Sequence, residues 1–271
     1  MISDITIGQY FPQKSLIHKL DPRVKICLTI FYIVLTFVSF NFVNIALVML
    51  TVFAQMIISK VPMKIYLKTL KPILFIVAFT TILNLFYGTG EPIFEWGFIK
   101  ITMGAIYNSI LIALRIITLI LASSVLTFTT SPTQLTDAIE RLLKPLSYIK
   151  VPVHEFAMMM TIALRFVPTL LEETDKIMSA QKARGADMES GGLMQRIKAL
   201  IPILVPLFVS AFRRAYDLAT AMESRCYAGG TGRTKMKILK IQKCDIFMLM
   251  SSVLFLTLFI VLNIIIPPIV R

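Results

Sequence analysis

Five apolar runs constrain the fold of this 271-residue chain more than any other feature of its sequence. Residues 246–266 are long enough to cross the hydrocarbon core of a bilayer as one helix, which needs about 20 apolar residues. Residues 26–40 and 45–59 are shorter and are joined by a four-residue turn, so they predict a tight helical hairpin. The remaining two runs are residues 72–87 and 104–128.

The composition of the chain is typical of a protein that crosses the bilayer several times. Hydrophobic residues make up 56% of it and charged residues 16%, whereas a soluble domain carries about a quarter charged residues. The net charge of +13 would suit a nucleic-acid partner, but the basic residues are concentrated in particular loops. Membrane topology explains that distribution, so we expect the lipid bilayer as a partner and no nucleic acid.

The positions of lysine and arginine predict the orientation of the chain. Residues 1–25 carry four of them, residues 60–71 four and residues 131–243 seventeen, while the alternate loops carry almost none. The positive-inside rule then predicts a multi-pass protein of the cell membrane whose N-terminus and residues 131–243 are cytoplasmic. We expect no cleaved signal peptide, because about two dozen polar and mixed residues precede the first apolar run.

The apolar and charged segments divide the chain into three predicted parts. Residues 1–130 form an N-terminal membrane domain with four apolar helices, and residues 244–271 form a C-terminal membrane helix. Residues 131–243 form a cytoplasmic or interfacial helical domain, which begins at the helix-start signal Ser131-Pro132. The predicted fold class is therefore all-α, a polytopic membrane protein with about five membrane-embedded helices.

Two long helices are predicted after the helix that begins at Ser131. One runs from Pro152 to about Arg184 and the other from about Met194 to Arg225. Each has an apolar half that contains proline and that continues into a charged half without a turn. We therefore expect these helices to start at the membrane boundary and to project from it or lie along it, and not to span the bilayer.

No set of residues in the chain predicts catalysis, a metal site or a cofactor. Three cysteines, Cys27, Cys226 and Cys244, show no paired spacing, and no histidine lies near them to complete a zinc site. His18 and His154 are interpreted as structural or surface residues. The phosphate-binding loop of nucleotide hydrolases is also missing from the sequence. We expect that the chain is not an enzyme.

Charged residues inside the predicted helices have two interpretations. Arg115 lies within an apolar run, where it is either a functional residue or a polar anchor that ties the spans together. The acids Glu172, Glu173 and Asp175 are interpreted as part of an exposed helix face that they share with nearby lysines.

A short arginine motif occurs twice, 41 positions apart, at the ends of the two long helices. The segments Ala180–Gly185 and Ala221–Cys226 both read Ala-x-x-small-Arg-small. One arginine at a helix C-terminus is explained by the helix dipole, which stabilises it by ~0.3–1 kcal/mol. The repetition and the small neighbours favour a second role, in which each helix end docks into an acidic groove on a soluble partner.

These motifs give the chain a family resemblance that covers most of its length. Segments similar to the family's N-terminal signature and first coupling helix are Gly8–Tyr10, Ser15, His18–Lys25 and Ser131–Ile139. Together with Ala183-Arg184-Gly185 and Ser224-Arg225-Cys226, they resemble the transmembrane T subunit of energy-coupling factor (ECF) transporters, the vitamin-uptake branch of ABC transporters. Cys226 stands where the first motif has Gly185.

The resemblance implies a non-catalytic subunit of a multi-subunit importer. Two cytoplasmic ABC ATPase subunits would each receive one arginine-bearing helix end, and a small membrane protein, the S component, would bind the vitamin. The subunit would join them through three coupling helices, the two long ones arranged as a V. An adaptable methionine-rich surface either contacts the S component or packs internally; its residues are Phe156, Met158, Met159, Met160 and Phe166.

Three other functions remain open to the sequence. The T-like subunit of a cobalt or nickel importer would share these motifs, because the choice of cargo lies in a partner. A secondary transporter would show intramembrane acids or paired broken helices, and neither is evident. An integral membrane enzyme would need a catalytic set, which this sequence does not suggest.

Overall fold

The computed structural model describes residues 9–86, 92–96, 99–186, 192–229, 239 and 241–266. The described chain is mainly helical, which confirms the predicted all-α fold class. The helices are α1 (Leu16–Lys19), α2 (Pro22–Val38), α3 (Phe42–Ser59), α4 (Met63–Phe86), α5 (Met103–Thr129), α6 (Pro132–Leu143), α7 (Val153–Ala183), α8 (Leu193–Glu223) and α9 (Lys243–Ile265).

A short β-hairpin that the sequence did not predict lies between α4 and α5. Its strands are β1 (Pro92–Trp96) and β2 (Ile99–Thr102), which pair antiparallel with Trp96 opposite Ile99. Thr102 both ends β2 and caps α5, since its hydroxyl accepts a hydrogen bond from the backbone N–H of Ala105 at 3.1 Å.

Four helices are long and apolar enough to cross a membrane, namely α3, α4, α5 and α9. The fifth predicted span corresponds to α2, which has 17 residues and is not among the four. At 1.5 Å per residue α2 is about 25 Å long, somewhat short of the hydrocarbon thickness of a bilayer. It nevertheless packs against α5 and α3 as one arm of the predicted hairpin. Neither α7 nor α8 is among the four candidates.

Local sequence explains where several helices begin. Asp21 caps α2 by accepting a hydrogen bond from the N–H of Arg23, with Pro22 at the first helical position. The predicted start of α6 is confirmed. Ser131 accepts from the N–H of Gln134 while the Gln134 side chain accepts from the N–H of Ser131, a reciprocal capping box.

The chain forms two compact units, the first of which comprises residues 9–135 and 238–271. In this unit α5 is central, because α2, α3 and α4 all pack against it. The core between these helices includes Val48, Val52 and Phe128, all almost fully buried. The rings of Tyr66 and Phe128 meet edge to face with centroids 5.1 Å apart, and the Tyr66 hydroxyl bonds to Ser59 Oγ.

A buried cluster of charges joins the start of α2 to the start of α9. Asp21, whose side chain is 1% exposed, forms a two-pronged ion pair with Arg23 at 2.9 Å and 3.1 Å. The backbone N–H of Asp21 donates to Oδ1 of Asp245 at 2.8 Å. The fully buried Asp245 also accepts from the N–H of Gln242, and Arg23 donates to the carbonyl of Leu239. Residues 224 positions apart in sequence are thus held together.

The same cluster reaches the end of α5 through Lys25. Its buried ammonium donates to the carbonyl of Thr129 at 2.9 Å, and the N–H of Phe11 donates to the carbonyl of Phe128. Burial lowers the pKa of His18 below its ordinary value, so the neutral ring is favoured. Nε2 of His18 then donates to the carbonyl of Phe11, and Nδ1 accepts from Ser15. This arrangement fits the structural role expected of His18.

Polar side chains also tie the opposite ends of these helices. Arg115 donates from Nη2 to the carbonyl of Ser39, the residue that caps the C-terminus of α2, at 2.7 Å. A cation at this position is stabilised by the helix dipole. Asn44 of α3 donates to Asn263 of α9 at 3.1 Å. The contact of Arg115 joins α5 to the end of α2.

Removal of the Asp245 carboxylate should destabilise the first unit. The Asp245→Ala variant leaves the buried backbone N–H of Asp21 without its acceptor and removes a negative charge close to the buried Lys25. A buried donor left without a partner costs about 1–3 kcal/mol. We expect a clearly lower thermal unfolding midpoint in detergent. The matched control is Asp217→Ala, which removes an exposed aspartate of α8. Equal midpoints for the two variants would contradict a stabilising role of the cluster.

Candidate functional site

The second unit comprises residues 136–229 of the described chain and contains the pair formed by α7 and α8. Each helix has 31 residues and is therefore about 46 Å long. Both run through their internal prolines without a break, as predicted: Pro168 in α7 and Pro202 and Pro206 in α8.

Side chains bridge the α7–α8 pair at three levels. Near the end of α7, Gln181 donates to the carbonyl of Pro202 at 3.4 Å. At the start of α7, the hydroxyl of Tyr227 contacts Sδ of Met158 at 3.1 Å. Midway along α7, Glu173 bonds to Ser210 and Arg214 of α8. The two helices are therefore antiparallel and are bridged near both ends.

The middle bridge is a polar contact centred on Glu173. Arg214 donates from Nη2 to Oε2 of Glu173 at 2.8 Å, and the hydroxyl of Ser210 donates to Oε1. The interpretation of Glu173 as part of an exposed face shared with lysines is therefore wrong. A signal for the contact was present in the sequence, because Leu170, Glu173 and Ile177 lie on one side of α7 at spacings of three and four residues.

The end of α7 has a backbone geometry that specifies glycine after the arginine. Gly185 has a φ of +85°, in the left-handed region that costs glycine nothing. The N–H of Gly185 donates to the carbonyl of Lys182, and the N–H of Ala186 donates to that of Gln181, both at 3.0 Å. These two bonds form a Schellman motif, which satisfies the last carbonyls of the helix.

The end of α8 repeats this geometry 41 residues later. Cys226 has a φ of +54°, its N–H donates to the carbonyl of Glu223 at 2.8 Å, and the N–H of Tyr227 donates to that of Met222 at 3.0 Å. Cysteine in the left-handed region costs roughly 1–2 kcal/mol that glycine does not. The residue after each arginine thus has a local structural role, because its left-handed backbone closes the helix.

The two arginines are exposed at opposite ends of the α7–α8 pair. Arg184 lies on the side of Pro202, and Arg225 lies on the side of Met158. The 23 residues of α7 between those two levels separate the arginines by roughly 35 Å. Neither guanidinium forms a hydrogen bond or an ion pair with any residue that the structure describes. Ala183 and Ser224, which precede the arginines, are exposed as well.

The methionine-rich segment at the start of α7 divides between two environments. Phe156, Met159 and Met160 are each about half exposed, at 56%, 52% and 49%. Met158 is partly buried and contacts Tyr227, while Phe166 is partly buried further along the helix. Three of the five residues therefore present an apolar surface, and Met158 packs within the pair.

His154 pairs with Glu140 of α6 at 3.0 Å, a structural contact.

Among the residues that the structure describes, no group of three or more potential ligands could hold a metal ion. The described cysteines are exposed and unpaired. The α7–α8 pair offers charged and apolar contact surfaces.

Comparison with known proteins gives a consistent set of similarities. The family model described as "CbiQ: Cobalt transport protein" matches residues 13–237. The chain is 54% identical over 257 residues to the "Energy-coupling factor transporter transmembrane protein EcfT" of Ruminiclostridium cellulolyticum, covering 95% of this chain and 96% of that protein. The proteins of the same name from Clostridium kluyveri and Bacillus subtilis are 54% and 48% identical, covering 90% and 88% of this chain and 92% and 90% of their own lengths.

The Glu173 bridge should fix the spacing of the α7–α8 pair. Glu173→Ala removes both acceptors, so the middle of the pair should open, because the Arg214 guanidinium and Ser210 lose their partner. We expect a longer and broader distance distribution between spin labels at Ala163→Cys and Ala219→Cys, measured by pulsed electron resonance after replacing the three native cysteines with serine. The control is Glu172→Ala, an exposed neighbour. An unchanged distribution in Glu173→Ala would show that apolar packing alone sets the spacing.

Proposed function

The chain belongs to the family of energy-coupling factor transporter transmembrane proteins, and from that premise we propose that it couples two cytoplasmic ATPase subunits to an S component in an importer. The observation that carries this proposal is the pair of equivalent helix ends. Arg184 and Arg225 occupy the same position in the same Schellman geometry, and both guanidiniums project without a partner among the described residues.

Each helix end suits a groove lined by carboxylates. An arginine fork forms charge-assisted hydrogen bonds in a fixed geometry, and each such bond contributes about 1.5–3 kcal/mol. The small residues beside each arginine, Ala183 and Gly185 or Ser224 and Cys226, let the helix end approach a surface closely. Two contacts of this kind would give binding that is stable and still reversible.

The roughly 35 Å between the two arginines supports two separate receiving subunits. One small groove cannot hold both ends of the α7–α8 pair, whereas two equivalent ATPase subunits offer two equivalent grooves. When ATP draws such subunits together, each helix end moves with its subunit. The Glu173 bridge to Ser210 and Arg214 keeps the two helices in register, so the movement tilts the pair as one piece.

The apolar surface of Phe156, Met159 and Met160 is the proposed contact with the S component. Unbranched methionine side chains adapt to different partner surfaces. The vitamin would be bound by the S component, and this chain would perform no chemistry, with ATP hydrolysis in the ATPase subunits. A cobalt or nickel cargo is the second candidate, favoured by the description of the matching family model as a cobalt transport protein.

The proposed orientation places the N-terminus and residues 131–243 in the cytoplasm. Support comes from the charge distribution, since residues 131–243 carry seventeen lysines and arginines. In that orientation both arginine-bearing ends can reach soluble ATPases.

Reversal of both arginine charges should abolish docking. For Arg184→Glu combined with Arg225→Glu, we expect no copurification with the ATPase subunits, because an acidic groove repels a carboxylate. Either single change should weaken ATP-driven uptake more than it affects thermal stability, since one contact remains. The readouts are affinity copurification and vitamin uptake in cells.

The matched control reverses two other exposed arginines of the same helices, Arg165→Glu and Arg213→Glu. It changes the net charge equally and leaves both helix ends intact, so the ATPases should be retained. Intact complexes in the Arg184 and Arg225 double variant, or equal loss in the control, would refute specific docking.

A further inference from the structure

The helix α4 has one face that packs within the first unit and one that does not. Its two buried residues, Tyr66 and Val77, are 11 positions apart and therefore share one face, on the side where α4 packs against α5. The opposite face of α4 is exposed along its whole length.

Three lysines occupy the first half of this opposite face. Lys64, Lys68 and Lys71 follow at spacings of four and three residues, so they form one stripe about 10 Å long. All three are exposed, and none forms a hydrogen bond or an ion pair with a residue that the structure describes. No aspartate or glutamate occurs anywhere in α4. The stripe is therefore a concentrated and uncompensated positive charge.

The same stripe becomes apolar within one turn. Beyond Lys71 it continues through Phe75, Phe79, Ile82 and Phe86, which are 78%, 55%, 52% and 47% exposed. From Phe75 to Phe86 the stripe extends about 16 Å, which is close to half of the roughly 30 Å hydrocarbon core. The length of the lysine part of the stripe is comparable to the thickness of the headgroup layer, which is about 5–8 Å on each side.

We propose that this face of α4 binds an anionic phospholipid, with the phosphate on Lys64, Lys68 and Lys71 and an acyl chain along Phe75, Phe79 and Ile82. Charge and length both favour this occupant. A lysine near a membrane surface gains free energy from anionic lipids, and its long stem lets the ammonium reach the headgroup level. An acidic protein segment would also match the positive charge. It would not explain why the stripe becomes apolar after Lys71 and stays apolar to Phe86, over about the thickness of one lipid leaflet. This proposal is independent of ATPase docking.

The experiment measures lipid selectivity beside residue 75 in the full-length chain. The only tryptophan, Trp96, is replaced with phenylalanine, and Phe75→Trp supplies a fluorescent reporter on the lipid face. The chain is reconstituted in bilayers that contain brominated phosphatidylglycerol or brominated phosphatidylcholine, whose acyl chains quench a tryptophan that they touch. A second reporter, Leu254→Trp, lies on the exposed face of α9.

We expect phosphatidylglycerol to bind beside the residue 75 reporter about tenfold more tightly than phosphatidylcholine. The three nearby lysines attract the anionic headgroup, and salt screening limits the size of the preference. The preference should fall to about twofold or less in Lys64→Gln, Lys68→Gln and Lys71→Gln combined. It should persist in the matched control, Lys144→Gln, Lys176→Gln and Lys198→Gln, which removes three exposed lysines elsewhere. High salt should weaken the preference without any substitution, which tests the proposal even if a variant folds poorly.

Four results would overturn the proposal. An equal preference at the α9 reporter would show a general effect of net charge, and an equal loss in the control variant would show the same. Displacement by inorganic phosphate beyond that caused by sodium chloride at the same ionic strength would identify a site for free phosphate. No preference at residue 75 at low salt would exclude an anionic lipid on this face.

Discussion

The buried contact between Asp21 and Asp245 holds together the first unit, which contains the four helices that are long and apolar enough to cross a membrane. Two carboxylates with almost no exposure are stable here because Arg23 and Lys25 balance their charge and backbone donors satisfy their oxygens. The arrangement fixes the starts of α2 and α9 and the end of α5 with respect to each other. Apolar packing between helices in lipid is not specific by itself, so such a polar cluster defines which helix ends meet.

The second unit uses polar contacts for a different purpose. The Glu173 bridge, the middle one of three contacts in the α7–α8 pair, joins two helices of 31 residues through two donors from α8. At the far ends of these helices the same Schellman motif exposes Arg184 and Arg225 in the same geometry. Since the left-handed residue after each arginine is required by the backbone, Cys226 keeps the geometry at a steric cost that Gly185 avoids. The repeat in sequence is thus a repeat in structure.

Much of the fold could be predicted from the sequence because it depends on local pattern. Apolar runs, the Ser131-Pro132 start and the uninterrupted helices through Pro168 and Pro202 are all confirmed. The role of Asp245 could not be predicted, because an aspartate in the first turn of a helix is common and its partner lies 224 residues away. The β-hairpin after α4 was missed since its short strands carry little periodic signal. Glu173 was misinterpreted because its lysine neighbours offered a simpler explanation.

The proposed function requires both arginine-bearing helix ends to meet ATPases on the cytoplasmic side. The most direct measurement labels the exposed Cys226 with a membrane-impermeant maleimide, after Cys27 and Cys244 are replaced with serine. A separate chain carries Ala183→Cys with Cys226→Ser for the other end. We expect both thiols to react only in inside-out vesicles and to be protected when the ATPase subunits are bound. Labelling of either thiol in intact cells, or no protection by the ATPases, would contradict the proposed function.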